Sequence, residues 1–231
     1  MNQKKTLAID IGGSHIKGTI LDTEGRELAS YESVKTPANH TPKSLLKAIE
    51  DLKKNMEDYD QIAVGFPGYI KKGIVLTAPN LDTKKWKGFK LENEISKALG
   101  KPTRLLNDAD MQGLGIASGK GFEIVLTLGT GFGSAFLLNG QLMPHLELAH
   151  HPLTKKKDYD DYLGEKALLK KGIKKWNKRI KKIIKILKKV FHYDTLYIGG
   201  GNARHINVKL KKNIRLVSNE DGIKGGSKVW E

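Results

Sequence analysis

Two glycine-rich loops, each set between apolar strands, recur in this chain 117 positions apart. The first lies within residues 7–22 and the second within residues 124–139. Aligned without a gap, Asp10 falls on Thr127, Gly12 on Gly129, Lys17 on Ser134 and Asp22 on Asn139. Each loop alone would also fit an ordinary β-hairpin, because glycine is common at turns. The matched positions instead suggest one unit used twice, with two loops that hold a phosphate chain across one cleft.

Length and composition favour an enzyme of two small lobes. The chain has 231 residues, of which 39% are hydrophobic, and no run of about eighteen apolar residues. Because the N-terminal residues lead directly into a strand, we expect neither a signal peptide nor a membrane span, and a cytoplasmic location. The chain has no cysteine, which excludes disulfides, thiolate catalysis and cysteine-ligated zinc.

Strands and helices alternate along the chain. A helix is expected to follow the cap Thr41-Pro42, since apolar residues then recur at helical spacing up to Met56. Another helix is predicted over 91–99, and a third near 111–117. Strands are predicted at 7–11, 15–22, 27–34, 61–68 (ending in a turn), 103–107, in the second hairpin, and at 195–198.

Asp108 is the candidate general base. It follows Asn107 at the end of a predicted strand, where an α/β sheet opens its crevice, and a carboxylate there can accept the proton of a hydroxyl. Asn107 and Asp108 would equally suit the N-cap of the following helix. The residues alone leave both interpretations open.

Asp10 and Lys17 flank the first glycine loop. A carboxylate at the end of the first strand can hold Mg²⁺ near phosphates, or it can stabilise the turn through nearby N–H groups. Lys17 can place a point charge on a phosphate, or it can be a solvated strand lysine.

Five motifs, in order, resemble the ROK sugar kinases (repressors, open reading frames and kinases) of the actin-like ATPase and hexokinase superfamily. The resemblance covers nearly the whole chain, and within the family it is greatest to the polyphosphate-dependent glucokinases, which share the lysine after the first loop and the His150-His151-Pro152 sequence. The motifs are Asp10-Ile-Gly-Gly-Ser-His-Ile-Lys17, Leu106-Asn-Asp-Ala109, Thr127-Leu-Gly-Thr-Gly131, Glu147-Leu-Ala-His150 and Ile198-Gly-Gly-Gly-Asn202.

The resemblance implies an α/β, two-lobed, actin-like ATPase (ribonuclease H-like) fold. Duplicated βββαβ-type lobes would surround a central cleft. The N-terminal lobe would span residues 1–108 and the C-terminal lobe residues 109–231. With the resemblance, we interpret Asp108 as the base rather than as a cap.

The same resemblance assigns the other site residues. Phosphate binding falls to Asp10, Gly12, Gly13, Ser14, Lys17, Thr127, Gly129, Thr130 and Gly131, with Asp10 also the Mg²⁺ ligand. The donor or nucleotide would contact Gly199, Gly200, Gly201 and Asn202. Sugar hydroxyls, which cost about 1 to 3 kcal/mol each if buried unpaired, would be bound by Asn80, Asn107, Asp108, Glu147 and His150. Glu147 and His150 are spaced to share one side of a helical turn, whereas we interpret His145 and His151 as surface or core groups.

The chain departs from the commoner family pattern after His150. Ala149 replaces the usual glycine, and residues 152–161 stand where most members have a cysteine-rich zinc loop. The second sugar-binding glutamate of the family therefore has no direct counterpart. Asp160 is expected to take its place, with Glu165 as the alternative.

Positive charge is concentrated in one segment. Of the net charge of +16, residues 166–189 contribute 12 Lys or Arg and no Asp or Glu. The apolar residues Trp176, Ile180, Ile183, Ile184, Leu187, Val190 and Phe191 follow a helical stripe, which predicts an amphipathic helix docked on a core. The lysines can be a solvated face or can bind a polyanion.

We interpret the chain as a sugar kinase that uses Mg²⁺ and transfers a phosphoryl group from polyphosphate, ATP or both to the 6-hydroxyl of glucose. The alternatives are an ATP-only ROK kinase for another hexose or an N-acetylated amino sugar, and a non-enzymatic sugar-binding regulator. No DNA or membrane partner is expected, because the basic segment lacks interleaved aromatics and its apolar stripe is needed for the core. A homodimer is expected.

Overall fold

The computed structural model describes residues 4–56, 58–218 and 220–231. The chain divides into two compact units. The first holds the residues up to Gly115 together with Gly222–Glu231, and the second is Ile116–Asp221. Within the described residues, no helix combines the length and apolar character that crossing a bilayer requires.

The elements of the first unit begin with an antiparallel hairpin and continue with alternating helices and strands. In order they are β1 (Thr6–Ile11), β2 (His15–Leu21), β3 (Glu32–Lys35), α1 (Pro42–Lys53), β4 (Gln61–Phe66), β5 (Ile70–Lys71), β6 (Ile74–Val75), α2 (Thr83–Trp86), α3 (Leu91–Leu99), β7 (Thr103–Asn107) and α4 (Asp108–Ile116).

The second unit repeats the hairpin and adds a long helix. Its elements are β8 (Phe122–Leu128), β9 (Phe132–Leu138), β10 (Gln141–Leu142), β11 (Pro152–Thr154), β12 (Lys157–Asp158), α5 (Tyr159–Leu163), α6 (Glu165–Phe191), β13 (Thr195–Gly199) and β14 (Ile214–Leu216). Two short helices, α7 (Glu220–Ile223) and α8 (Gly225–Lys228), end the chain.

Each unit is built on a five-stranded sheet of the same order. The first sheet runs β3-β2-β1-β4-β7 and the second β10-β9-β8-β13-β14. In the first sheet, β1 pairs antiparallel with β2 and parallel with β4, and β4 pairs parallel with the edge strand β7. In the second sheet, β8 pairs antiparallel with β9 and parallel with β13, and β13 pairs parallel with the edge strand β14. The shared order confirms the duplicated unit that the two glycine loops predict.

The two hairpins differ in register by one residue. Asp10 of β1 lies opposite Lys17 of β2, whereas Thr127 of β8 lies opposite Gly133 and not Ser134. The first loop is one residue longer than the second, between the last paired residues of each hairpin. The gapless alignment therefore matches equivalent residues of β1 and β8. For β2 and β9 it must be shifted by one residue, so that Lys17 matches Gly133.

The α1 helix forms as the sequence predicts. The Thr41 hydroxyl accepts a hydrogen bond from the N–H of Ser44, and Pro42 occupies the first turn. The buried face consists of Leu45, Ala48, Ile49 and Leu52. This face packs into the core of the first unit with the apolar residues of β1 and β4.

The third predicted strand, at 27–34, is wrong in its first half. The Asp22 carboxylate accepts hydrogen bonds from the N–H groups of Glu24 and Arg26, which fold residues 22–26 into a tight turn. Glu27 makes only an isolated bridge to Leu21, and Leu28 is 51% exposed. Regular pairing therefore begins at Glu32.

The division into units differs from the expected boundary after Asp108. The α4 helix starts at Asp108 and stays with the first sheet as far as Gly115. At the other end of the chain, a Cβ on Gly225 would lie 1.8 Å from the carbonyl oxygen of Met111, and one on Gly226 would lie 2.6 Å from the Cβ of Ala8. These close approaches return the C-terminal residues to the first unit.

The basic segment forms α6, which is interrupted at Gly172 (φ 72°, ψ 158°). Its predicted apolar stripe is buried at Trp176, Ile180, Ile183 and Leu187, against β8 and β13. Val190 is a correction, since it is 61% exposed in the last turn of the helix. The stripe docks the helix on the second sheet, as its periodicity predicts.

Candidate functional site

Two acidic residues meet a glycine at the carboxyl ends of the strands of the first sheet. A Cβ on Gly65 of β4 would lie 3.3 Å from the Cα of Asp108 and 3.6 Å from Oδ1 of Asp10, and it would clash with the Met111 side chain at 2.8 Å. A larger residue here would displace the end of the Met111 side chain and press on the backbone at the start of α4. Gly65 therefore lets Asp10 and Asp108 approach a common point, a role that the sequence alone did not indicate.

Asp10 is a half-buried carboxylate with a lysine opposite. Burial raises the pKa of Asp10 to about 6, and the charge of Lys17 lowers it in part. Directly opposed residues in an antiparallel pair point to the same face of the sheet, so Lys17 shares the face of Asp10. A carboxylate short of water benefits from a bound cation, and Asp10 thus fits the role of a Mg²⁺ ligand.

The cap of α4 is made by Asn107. Its Oδ1 accepts hydrogen bonds from the N–H groups of Ala109 (2.8 Å) and Asp110 (3.3 Å), while its Nδ2 donates to the carbonyl of Gly68 (3.1 Å). Asp108 is the first helical residue, and its Oδ1 also accepts from the N–H of Ala109 (2.9 Å). Asn107 supplies the capping interaction that competed with a catalytic role for Asp108, while its own contact with a sugar stays a prediction.

The first glycine loop is fixed at its base by Thr36. The Thr36 hydroxyl donates to the carbonyl of Gly12 (2.7 Å), and its N–H donates to the carbonyl of Ser14 (3.0 Å). The N–H of Gly12 donates to the carbonyl of His15 (2.9 Å). Gly13 and Ser14 are exposed, so the tip of the loop faces outward from a rigid base.

The second glycine loop is held by groups far away in sequence. The N–H of Phe132 donates to Oδ1 of Asp160 (2.7 Å). The carbonyl of Gly129 accepts from the N–H of Glu165 (3.1 Å) and from Nδ2 of Asn202 (2.9 Å). Thr127 and Gly131 are partly buried beside this base, whereas Thr130 is exposed at the tip.

The third loop, Gly199 to Asn202, lies directly against the second. Gly200 has φ +89°, and a Cβ there would lie 2.3 Å from the backbone N and O of Leu128. The N–H of Asn202 donates to the carbonyl of Leu128 (2.9 Å). The sequence predicted the two loops separately, and the fold joins them at the end of β8.

One glycine in each loop has no evident packing or backbone role. A Cβ on Gly13, Gly129 or Gly201 would have no heavy atom within 4 Å, and none of the three has φ in the left-handed region. Neither a clash nor backbone strain within the chain therefore requires glycine at these positions. Close approach of a bound group to the backbone is a physical reason for glycine there.

Glu147 pairs with a histidine that the sequence analysis treated as a surface or core group. Nε2 of His145 lies 3.5 Å from Oε1 of Glu147. Interaction with His145 lowers the pKa of Glu147 against the effect of burial. Glu147 precedes a 3-10 turn, Leu148–His150, so the expected helical turn is tighter than an α-helix.

His150, Asp158 and Asp160 form an acidic group with one histidine in the second unit. Nδ1 of His150 lies 3.7 Å from Oδ2 of Asp158. Burial raises the pKa of Asp160, with a further contribution from Asp158, while the N–H of Phe132 and His150 lower it. Asp160 thus supports the second loop through its hydrogen bond with Phe132.

The two remaining candidates are on the surface. Asn80 is exposed in a turn before α2, and the side chain of Glu165 is exposed at the start of α6. Glu165 contributes its backbone N–H to the second loop. Among the described residues, no group of three or more His, Asp or Glu side chains is placed to hold a metal ion.

Comparisons with known proteins agree with this arrangement. The sequence profile of the ROK family matches residues 6–150. The polyphosphate glucokinase of Mycobacterium tuberculosis is 31% identical over 227 residues, which cover 94% of this chain and 83% of that protein. The structure of inorganic polyphosphate/ATP-glucomannokinase from Arthrobacter sp. strain KM is 29% identical, with a TM-score of 0.87 and 98% of both chains covered. A ROK family glucokinase from Streptomyces griseus, in complex with glucose and AMPPNP, shares the fold at 19% identity, with a TM-score of 0.78 and with 97% of this chain and 98% of that chain covered.

Proposed function

This chain belongs to the ROK family, and we propose that it is a kinase that transfers a phosphoryl group from polyphosphate, ATP or both to the 6-hydroxyl of glucose. The observation that carries the proposal is the convergence of Asp10 and Asp108 on Gly65 at the carboxyl ends of three neighbouring strands. The names of the two similar proteins, a polyphosphate glucokinase and a polyphosphate/ATP-glucomannokinase, supply the substrate classes.

Asp108 is the proposed general base. The oxygen of the sugar hydroxyl attacks the terminal phosphorus of the donor, its proton passes to the Asp108 carboxylate, and the bond from phosphorus to the leaving oxygen breaks. The position of Asp108 is fixed by the start of α4, which Asn107 caps. A carboxylate on a rigid helix start needs little reorganisation to accept the proton.

The donor phosphates are proposed to bind at the tips of the glycine loops. Gly13 and Gly129 leave space for an anion near the backbone, and Lys17 adds a positive charge on the face of Asp10. Gly199, Gly200, Gly201 and Asn202 would bind the donor beyond the phosphate that is transferred. Mg²⁺, when bound through Asp10, would neutralise charge on the donor phosphates.

The sugar hydroxyls are proposed to bind Asn80, Asn107, Glu147, His150 and Asp160. His145 lowers the pKa of Glu147, which favours the ionised carboxylate, and an ionised carboxylate accepts hydrogen bonds from hydroxyls. The matching of fixed polar groups to hydroxyls would determine which hexose is accepted.

The test is a parallel assay of the purified chain with Mg²⁺. Glucose, mannose and N-acetylmannosamine are each offered with long-chain polyphosphate and with ATP, and the sugar phosphate is measured. We expect glucose 6-phosphate with at least one donor. Sugar phosphorylation from neither donor would overturn the proposal, whereas turnover of an amino sugar with ATP alone would identify the ATP-only kinase.

A further inference from the structure

The α6 helix presents a row of five exposed lysines. Lys178, Lys181, Lys182, Lys185 and Lys189 line a shallow groove of about 360 Å³, whose remaining lining residue is Ile186. The opposite face of the helix is buried in the core of the second unit. The five lysines, here called the lysine stripe, are therefore a fixed surface and not part of a mobile tail.

The stripe carries charge that the rest of the helix does not balance. Residues 166–189 contain no Asp or Glu, and none of the five lysines forms a salt bridge with any residue in the described part of the chain. Two other basic residues of α6 are engaged internally: Arg179 donates to the carbonyl of Tyr162, and Lys188 to that of Tyr193. Mutual repulsion among the stripe lysines favours a bound polyanion.

The shape of the stripe favours a linear anion. Lys178, Lys182, Lys185 and Lys189 follow one helix face and span about 16 Å at 1.5 Å per residue. A short triphosphate cannot contact all of them, whereas an extended chain of phosphates can. Nucleic acid is disfavoured because no aromatic residue lines the groove, and the nearby ring of Tyr162 is covered by Arg179 (4.3 Å) and Lys182 (5.7 Å).

The same helix reaches the donor loops of its own unit. The N–H of Glu165, the first residue of α6, bonds to the carbonyl of Gly129 in the second glycine loop. Lys178 lies thirteen positions after Glu165, which corresponds to about 20 Å of helical path that bends at Gly172. A long chain whose end lies at the loop could therefore extend to the stripe.

We propose that the lysine stripe is a docking surface for long-chain inorganic polyphosphate, separate from the glycine loops that hold the reacting phosphate. The choice of polyphosphate rests on the proposed function. Docking on the stripe raises the affinity for long chains by adding contacts that a short donor cannot make, and these contacts are weakened by salt.

The experiment compares the parent with K178Q/K181Q/K182Q/K185Q, using K43Q/K47Q/K71Q/K101Q as the control. The control removes the same charge from exposed lysines of the first unit. Binding of fluorescent long-chain polyphosphate and of tripolyphosphate is measured at low and high salt, without sugar. KM is measured for long-chain polyphosphate and for ATP, and melting temperatures establish that each variant is folded.

We expect the stripe variant to bind long-chain polyphosphate about tenfold more weakly, with a shallower salt dependence. Its KM for long-chain polyphosphate should rise several-fold, while tripolyphosphate binding, KM for ATP and the control variant stay unchanged. Equal effects on long and short donors, or none, would overturn the proposal. So would an oligodeoxynucleotide that competes as well as polyphosphate, which would assign the stripe to nucleic acid. Because binding is measured without turnover, an inactive chain that still binds long chains through the stripe would count against the kinase and not against the docking surface.

Discussion

At the scale of single residues, the positions of the acidic site residues depend on neighbouring residues. Gly65 allows Asp10 and Asp108 to approach one point, and Asn107 caps the helix that begins at Asp108, the proposed general base. His145 lies beside Glu147 and lowers its pKa. The carboxylates proposed to carry the chemistry therefore have surroundings that are set by neighbouring residues without a proposed chemical role.

Replacement of Asp108 by Asn should lower kcat by about 100-fold or more, the loss typical of removing a general base. The side chains are nearly the same size, so the melting temperature should change little. Asp51→Asn, an exposed position on α1, is the control and should leave kcat unchanged. Near-normal turnover in D108N would discard Asp108 as the base.

Replacement of Gly129 or Gly13 by Ala should separate stability from activity. Neither position clashes or needs a left-handed backbone, so the folded state should tolerate the methyl group, with a gain of up to about 1 kcal/mol from reduced freedom of the unfolded chain. KM for the donor should nevertheless rise, because the methyl group occupies the space proposed for phosphate. The measurements are urea unfolding and donor KM.

Gly200→Ala is the matched contrast. A Cβ there would lie 2.3 Å from the Leu128 backbone, and φ is +89°, so this variant should unfold more easily. If G129A and G13A instead kept the parent KM for every donor, the loops would not be the phosphate sites.

At the scale of secondary structure, the turn that leads into β8 is fixed by one buried carboxylate. Glu123 accepts hydrogen bonds from the N–H groups of Ser118 (2.9 Å), Gly119 (2.8 Å) and Lys120 (3.1 Å), and from the hydroxyls of Ser118 and Tyr197. Burial by itself would raise the pKa of Glu123, but the hydrogen bonds outweigh it and hold the pKa below its usual value. The carboxylate thereby anchors the start of β8.

Glu123→Gln should destabilise the protein by about 1–3 kcal/mol at pH 7. The glutamine NH₂ group is a donor, and it would face backbone N–H groups that lose their acceptor. Because the folded pKa is lowered, the contribution of Glu123 is complete above the unfolded pKa and is lost as the pH falls through the folded value. The difference between parent and variant should therefore shrink below about pH 4. Urea midpoints of parent and variant at pH 7 and below about pH 4 measure this difference, and Glu50→Gln, at an exposed position of α1, is the control. A difference that is independent of pH would refute this role.

At the scale of the whole molecule, the chain has no cysteine, so a cysteine-rich zinc loop cannot order the segment after His150. That segment instead forms the short β11 and β12 pair and α5, which pack onto the core of the second unit through Leu153, Tyr159 and Leu163. Burial of apolar side chains takes the place of a metal in ordering this part of the fold.

Because the chain has no cysteine to hold zinc, its activity should depend on Mg²⁺ and not on zinc. A chelator selective for zinc should leave the kinase activity unchanged, whereas removal of Mg²⁺ should abolish it and added Mg²⁺ should restore it. The proposed reason is that Asp10 and the donor phosphates share the Mg²⁺ ion. Activity assays with each chelator, and metal analysis of the purified protein, provide the measurement. Stoichiometric zinc would contradict the expectation.

The sequence by itself determined the features that depend on neighbours along the chain. The Thr41 cap, the apolar face of α1, most of the buried stripe of α6 and the repeated glycine loops each follow from local spacing, because helices and hairpins are specified by residues a few positions apart. Asp108 could be located at a strand end, although the residues alone did not choose between base and cap.

Only the tertiary structure decided which distant residues meet. Three contacts join segments that are far apart in sequence, and no local pattern encodes them: Gly65 with Asp108, Asp160 with Phe132, and Gly200 with Leu128. The one-residue shift between the hairpins has a related cause, since the register of a hairpin depends on the length of its loop as well as on the hydrophobic pattern of its strands. The local pattern therefore specified the elements, and long-range packing specified the site.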